Sequence, residues 1–348
     1  MNIFDLVQSK EIASYWNTAQ ENTQAYLGEE LFPSNKKLGL DLKWLKGSKG
    51  LPVVLKLAAF DSKAVPRSRI GVDKISSEMP FFKESMYIDE ELRQELNKVI
   101  ETANEAYINS IVARIFDDEQ TLLVGAAAAR ERMRMMLLTT GTIAMSSNGQ
   151  SYTYDYGLTS EQKPTVSKSW SDPTADIIED IKKYQAERED ETGIKPTRAV
   201  CSRKTMGYLT SNNGIRSAIW GVNNQAAINA PISTAKVQQY LAEECDLDVI
   251  VYSKKYKDES GKTMPFVADD TFVMFPDGVL GNTWFGTTPE ESDLMGSAGV
   301  DNVSIVDTGV AITTMKKADP VNVETKVTQI TLPSFEAANG VVIVDVIV

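Results

Sequence analysis

A strongly basic stretch of this chain runs directly into a strongly acidic one, and the two have different periodicities. Residues 43–83 carry Lys43, Lys46, Lys49, Lys56, Lys63, Arg67, Arg69, Lys74 and Lys83 against Asp61, Asp73 and Glu78, nine positive charges to three negative. The run LPVVLKLAAF from Leu51, turn residues from Asp61 to Pro66 and the returning RSRIGVDKISSEMPFF, broken at Gly71, predict a two-stranded ribbon. From Glu84 to Thr139 eleven acids face six bases. Within that stretch Leu92, Leu96, Val99, Ala103, Ala106, Tyr107, Ile111 and Ile115 recur at helical spacing until Gly141. Asp89 is the expected N-cap, with Glu90 and Glu91 in the first turn where the helix dipole favours acids, and Asp117-Asp118 is expected to mark a break. A helix of about 30 residues is about 40 Å long, more than a small domain needs, which predicts a spine. A lone two-stranded ribbon is marginal in water and has to lean on another surface. Opposite charge on such neighbours suits docking one copy onto another, with specificity gained more than affinity. The competing reading is a solvated hairpin beside a solvated helix face.

Composition removes most catalytic classes. The 348 residues hold no histidine, so Ser-His-Asp triads, Cys-His dyads and histidine-ligated metal sites are excluded. Two cysteines, Cys201 and Cys245, sit in segments that read as strand and helix, which predicts buried thiols rather than a disulfide framework. A net charge of −12 argues against a tight grip on nucleic acid. No apolar run approaches the roughly 20 residues that span a bilayer, and the first residues, MNIFDLVQSKEIASYW, lack the pattern of a signal peptide, so the chain is expected to stay in the compartment where it is made.

The length allows two domains of ordinary size. Residues 1–42 combine a short helical pattern (Ile12, Tyr15, Trp16, Ala19) with turn-rich sequence and read as an extended arm. Neither the arm nor the ribbon is expected to bury enough apolar surface alone to offset about 1–2 kcal/mol of backbone entropy per residue. After the polar hairpin signal SSNGQSYTYDYG, Asp172-Pro173 reads as an N-cap and first-turn proline opening a helix with Ile177, Ile178, Ile181 and Tyr184 that stops at Gly193. TRAVCS, KTMGYLTS, STAKVQQYLAEE and LDVIVYS then alternate strand and helix signals. A hairpin follows with its turn at Asp258, Glu259, Ser260 and Gly261, and from Val303 the chain is β-rich and is expected to return to the spine.

The carboxylate clusters Asp117-Asp118-Glu119 and Asp269-Asp270 could in principle hold a hard cation, but both fall at expected element ends and read as caps and turns. Gly47-Ser48-Lys49-Gly50 lacks the spacing and the strand-to-helix context of a phosphate loop and reads as a turn. Met133, Met135 and Met136 with Arg130, Arg132 and Arg134 read as core packing plus cations near a helix end. No catalytic constellation assembles, and no cofactor or metal is expected.

The order of arm, basic ribbon, long helix, α/β segment and returning strands resembles the major capsid proteins of tailed bacteriophages, in particular the group of the lambda major head protein. The resemblance rests on VIVYSKKYKDESGKTMPFVADDTFVMFP (Val249 to Pro276), on WSDPTADIIEDIKKY (Trp170 to Tyr184), on Met135 to Met145 and on the closing LPSFEAANGVVIVDVIV. It implies an α+β, HK97-like phage capsid fold. Its parts are an N-terminal arm (1–42), an extended β-ribbon loop (43–87), a peripheral domain with a long spine helix (88–171), an axial α/β domain (172–300) and returning strands of the peripheral domain (301–348). The implied function is self-assembly into hexamers and pentamers of an icosahedral virion shell around double-stranded DNA, built in the host bacterial cytoplasm. The implied partners are other copies, a separate scaffolding protein, a portal and a decoration protein, with DNA enclosed without sequence-specific binding and with no membrane. Lys56, Lys63, Arg67, Arg69 and Lys74 of the ribbon are the expected inter-subunit contacts, facing Glu95, Glu101 and Glu105 of the helix. Some relatives join a lysine to an asparagine covalently, but the pattern around Lys56, Lys63 and Lys74 does not match, and that chemistry is not carried over. A tail-tube or baseplate component and, more remotely, a metal-dependent hydrolase are the alternative readings.

Overall fold

The computed structural model describes residues 7–20, 25–46, 73–88, 105–221, 230–295, 302–318 and 321–348, with six isolated positions between 90 and 98. It divides into two compact units, each assembled from distant segments: one within 1–42, 76–133 and 282–334, the other within 43–75, 134–281 and 335–348.

The first unit is built on the strand Val321–Pro333, which alternates at period two from Val321 to Lys326 and is buried continuously from Val327 to Pro333. Val310–Ala318 pairs antiparallel along it, as does Phe81–Tyr87, and its last three residues pair with Thr283–Phe285. Ser34–Lys36 then runs parallel to Thr283–Phe285, while Val303–Val306 pairs with Val310–Ala318. Val310, Ile312, Val323 and Val327 form one core cluster with Ile111, Ile115, Leu122 and Leu123. The latter four belong to the long helix Glu105–Thr140, whose 36 residues extend about 54 Å. The helix passes through Asp117 and Asp118 without the expected break. Both residues are exposed, so they lie off the apolar stripe that continues from Ile115 to Leu122, and nothing there competes with the helical backbone. Glu84, expected at the start of the helical stretch, instead lies in the strand Phe81–Tyr87 opposite Val327.

The base of the ribbon is present as Asp41–Lys46 paired with Asp73–Glu78, the latter followed by Pro80, which has no N–H for a ladder. Residues 79–87, expected to belong to the ribbon, instead supply the strand Phe81–Tyr87 of the first unit's sheet, while residues 47–72 of the ribbon and Asp89, Leu92, Leu96, Val99 and Ala103 of the expected helix lie outside the described residues.

The second unit centres on a four-stranded sheet in the order Val342–Asp345, Thr271–Phe275, Arg198–Cys201, Asp248–Val251, with only the last pair parallel. Its core joins Trp170, Ile181, Leu209, Val237, Leu241 and Phe272. The helices carry the caps their sequences advertise: Ser202, Asn212 and Ser233 side chains each accept a first-turn N–H, and Gly193 ends Ile177–Thr192 at φ 72°. That helix opens later than Asp172-Pro173. The Asp172 carboxylate is occupied by the Thr174 N–H and hydroxyl in a separate turn, and those bonds hold its pKa down to about 2. The hairpin signals at Asn148-Gly149 and Asp258–Gly261 both close antiparallel pairs. The closing segment does not follow the strands at 303–333. Val341, Val342, Val344 and Val346 are all buried, and such an apolar run fits the second sheet, where residues 164–170 cover its outer edge through Val166 N to Asp345 O and Trp170 N to Val346 O.

Candidate assembly interface

Of the residues expected to face a neighbouring copy, Lys56, Lys63, Arg67, Arg69 and Glu101 lie outside the described residues. Lys74 stands on the strand Asp73–Glu78, and Glu105 is the first residue of the long helix. Glu95 is engaged within the chain, 3.8 Å from Arg114. The acidic face of the long helix is also narrower than composition implies. Glu119 and Glu131 are 2% and 0% exposed and face inward, leaving Asp117 and Asp118 outward at that level.

The two inward glutamates belong to a buried polar layer beneath the helix. Glu119 occupies the apolar stripe between Ile115 and Leu122, accepts a hydrogen bond from the Thr325 hydroxyl of the long strand, and has no bonding partner for its second carboxyl oxygen. Burial raises its pKa to about 7. The spacing of the stripe could have revealed it: Glu119 is four residues after Ile115 and three before Leu122, so a continuous helix has to bury it. About three turns further on, Arg130 donates to Gln329 at 2.9 Å and to Asp307 at 2.7 Å, and its guanidinium lies 5.6 Å from the Phe285 ring centre. Glu131 accepts from the Gly28 backbone N–H at 3.1 Å. Met133 and Met135 are fully buried, as expected of core packing. The expected dipole role of Arg130, Arg132 and Arg134 fails, because the helix runs to Thr140 and its last turn holds no basic residue.

Asp307 ties this layer to the N-terminal segment. It and Thr308 adopt φ of 46° and 69° in the turn before Gly309, and a side chain at Gly309 would press on Phe285. The Asp307 carboxylate also accepts the Trp16 indole N–H at 3.1 Å. Trp16 lies on the helix Ser9–Gln20, where Ile12, Ala13 and Trp16 join the same core cluster as the long helix. Ser9 bonds Ser304, and the Tyr15 hydroxyl donates to Asp117 at 2.5 Å. This part of the arm is therefore docked on its own unit, against the expectation of a segment unable to bury itself. Three apolar residues on one helical face and an indole with a part-buried acceptor supply what the turn-rich sequence around them conceals.

The other carboxylate cluster is also occupied: Asp270 accepts from Lys204 and Tyr208, each at 2.7 Å. Among the described residues no three Cys, Asp or Glu side chains converge as a metal site. Gly47-Ser48-Lys49-Gly50 lies outside the described residues. Cys201 and Cys245 are buried free thiols, and burial pushes Cys201 up to about 12.

A sequence profile described as "Phage major capsid protein E" matches residues 8–346. No curated protein matches the chain by sequence. Among solved structures, a protein assigned to the capsid of an Escherichia coli CFT073 prophage superposes with a TM-score of 0.60 at 15% identity, covering 98% of this chain and 99% of its own. A phage-related protein from Bordetella bronchiseptica RB50 gives 0.58 at 10% identity over 98% and 97%. The mixed helix and sheet fold is thus that of these two proteins.

Proposed function

Because the chain belongs to the phage major capsid protein E family, we propose that the elements described above are the parts of a shell subunit. It is a shell-forming capsid protein and its role is structural. The observation that carries this is the family match over residues 8–346, supported by a fold shared along the full length of a prophage capsid protein.

In this reading the subunits form hexamers and pentamers of an icosahedral shell around double-stranded DNA. Residues 43–87 are an extended loop that reaches a neighbour. The long helix is the spine of a peripheral domain to which Thr283–Phe285 and the strands at 303–333 return, and the four-stranded sheet that includes the closing strand Val342–Asp345 is the centre of an axial domain. Lys56, Lys63, Arg67, Arg69 and Lys74 of one copy meet acids of the next copy's helical region, among them Glu95, Glu101 and Glu105. The described side chains narrow that proposal: Glu119 and Glu131 are internal, so the contact draws on the exposed acids alone. The N-terminal helix holds its own unit together through Trp16 and Asp307. A separate scaffolding protein, a portal and a decoration protein are the proposed partners, with assembly in the host bacterial cytoplasm.

The test pairs sedimentation with turnover assays. The purified chain is expected to sediment as capsomers or shells and to leave phosphoesters, esters and peptides unchanged. Hydrolysis stimulated by a divalent metal and lost on replacing Asp117 or Asp269 would overturn this.

A further inference from the structure

The second unit carries opposite charge at the two ends of its parallel strand pair. At the leading end, where Arg198 and Asp248 begin their strands, the helix Ile177–Thr192 comes to its C-terminus. Gln185 fastens it there by donating to the Pro196 and Cys245 carbonyls. Its final turns expose Glu187, Glu189 and Asp190, none of which makes an ion pair among the described residues, while Glu191 is taken by Arg188. Acids at a helix C-terminus oppose the macrodipole, so this end is electrostatically unrelieved within its own unit.

At the trailing end, the Tyr252 N–H bonds the Cys201 carbonyl and the chain turns into the hairpin of Lys255–Lys257 and Thr263–Pro265. Tyr256 anchors the hairpin on Phe266, their ring centres 4.9 Å apart, and Phe266 in turn packs on Tyr252. Strand alternation then sends Lys255 and Lys257 to the face opposite Tyr256. Asp258 is bound into its own turn by the Ser260 N–H, the Ser260 hydroxyl and the Lys262 N–H, and with Glu259 it offsets only part of the charge of Lys254, Lys255, Lys257 and Lys262, so the hairpin stays net basic. Lys255, Lys257 and Lys262 are exposed and make no ion pair among the described residues. Lys204, on the helix that follows Cys201, is already paired with Asp270.

We propose that the Lys255–Lys257–Lys262 hairpin is an interaction surface for a second copy of this chain, seating against the Glu187–Glu189–Asp190 helix end of its neighbour. Two different patches at opposite ends of one unit make a head-to-tail contact, and a head-to-tail contact that closes generates a ring. The charges match in sign and both patches sit on rigid elements, so the contact also sets the order of copies around the ring. Nucleic acid is the weaker occupant: three lysines in a chain of net charge −12 make a small phosphate-binding footprint. The proposal rests on the capsid reading and adds to it which surfaces join copies within a ring.

The experiment compares the full chain with three variants, by native mass spectrometry for rings and electron microscopy for shells. They are Lys255→Glu with Lys257→Glu, Glu187→Lys with Glu189→Lys, and all four changes in one chain. Each double reversal is expected to lower ring and shell yield about tenfold, since a weakened contact repeats at every position of the ring. The quadruple variant restores complementarity and is expected to recover most of the yield. Rings and shells at normal yield in either double variant, or no recovery in the quadruple one, would overturn the proposal. So would normal shells that merely hold less DNA, a result pointing to nucleic acid. Rings that form and lose yield as described, without ever closing into shells, would count against the capsid reading and leave this surface standing.

Discussion

Glu119 is the side chain that most directly couples the long helix to pH. Its folded pKa of about 7 lies above the ordinary 4.5, so between those values the folded chain keeps a proton that the unfolded chain has lost. Stability from this group is therefore present below pH 4.5 and falls as pH rises to 7, by roughly 3 kcal/mol in all. Glu119→Gln is expected to remove most of that slope in denaturant titrations between pH 4.5 and 7.5; an unchanged slope would exclude Glu119 as its source. Arg130 acts differently, because truncation leaves the part-buried Asp307 without its cation and the buried Gln329 without its donor. Arg130→Met is expected to cost about 3–5 kcal/mol, read as a lower denaturation midpoint. Both roles become legible in the sequence only when the helix is read as unbroken at Asp117-Asp118. A charge counted as surface changes meaning when a helix runs longer than expected, and Glu119 and Arg130 sit on the buried stripe only once the helix is continuous from Glu105 to Thr140.

At the scale of elements, local signals were legible wherever backbone chemistry decides. Asn148-Gly149 and Asp258–Gly261 gave hairpins and Gly193 gave a helix stop, because each meets a steric or hydrogen-bonding requirement within a few residues. Long-range destinations were not legible. Nothing within Val342–Asp345 distinguishes pairing with Thr271–Phe275 from pairing with the long strand, since either buries the same valines. The docked N-terminal helix was missed because its acceptor, Asp307, lies 291 residues away. Trp16→Ala is expected to cost about 3–5 kcal/mol and to abolish hydrogen-exchange protection of residues 9–20; full protection in the variant would show that the indole does not hold the segment. For the ribbon, reversing Arg67 and Arg69 is expected to weaken assembly while leaving the subunit folded. Raising salt from 0.1 to 1 M is expected to act in the same direction, as the Debye length falls from about 10 to about 3 Å. Assembly indifferent to both would return the basic ribbon to a merely solvated role.

For the whole molecule, the family match over residues 8–346 makes the chain a shell-forming capsid protein. In the proposed reading, buried polar contacts hold each unit together internally and exposed charged surfaces meet further copies. Single exposed pairs contribute only about 0.2–1 kcal/mol, so such surfaces act through repetition. Assembly is then expected to be steep in protein concentration, with few intermediates between free subunits and finished particles. The most direct measurement is electron microscopy of the purified full-length chain, alone and co-expressed with a scaffolding protein. The account predicts closed shells built of five- and six-membered rings, whereas open tubes or isolated discs with no closed particle under any condition would contradict it.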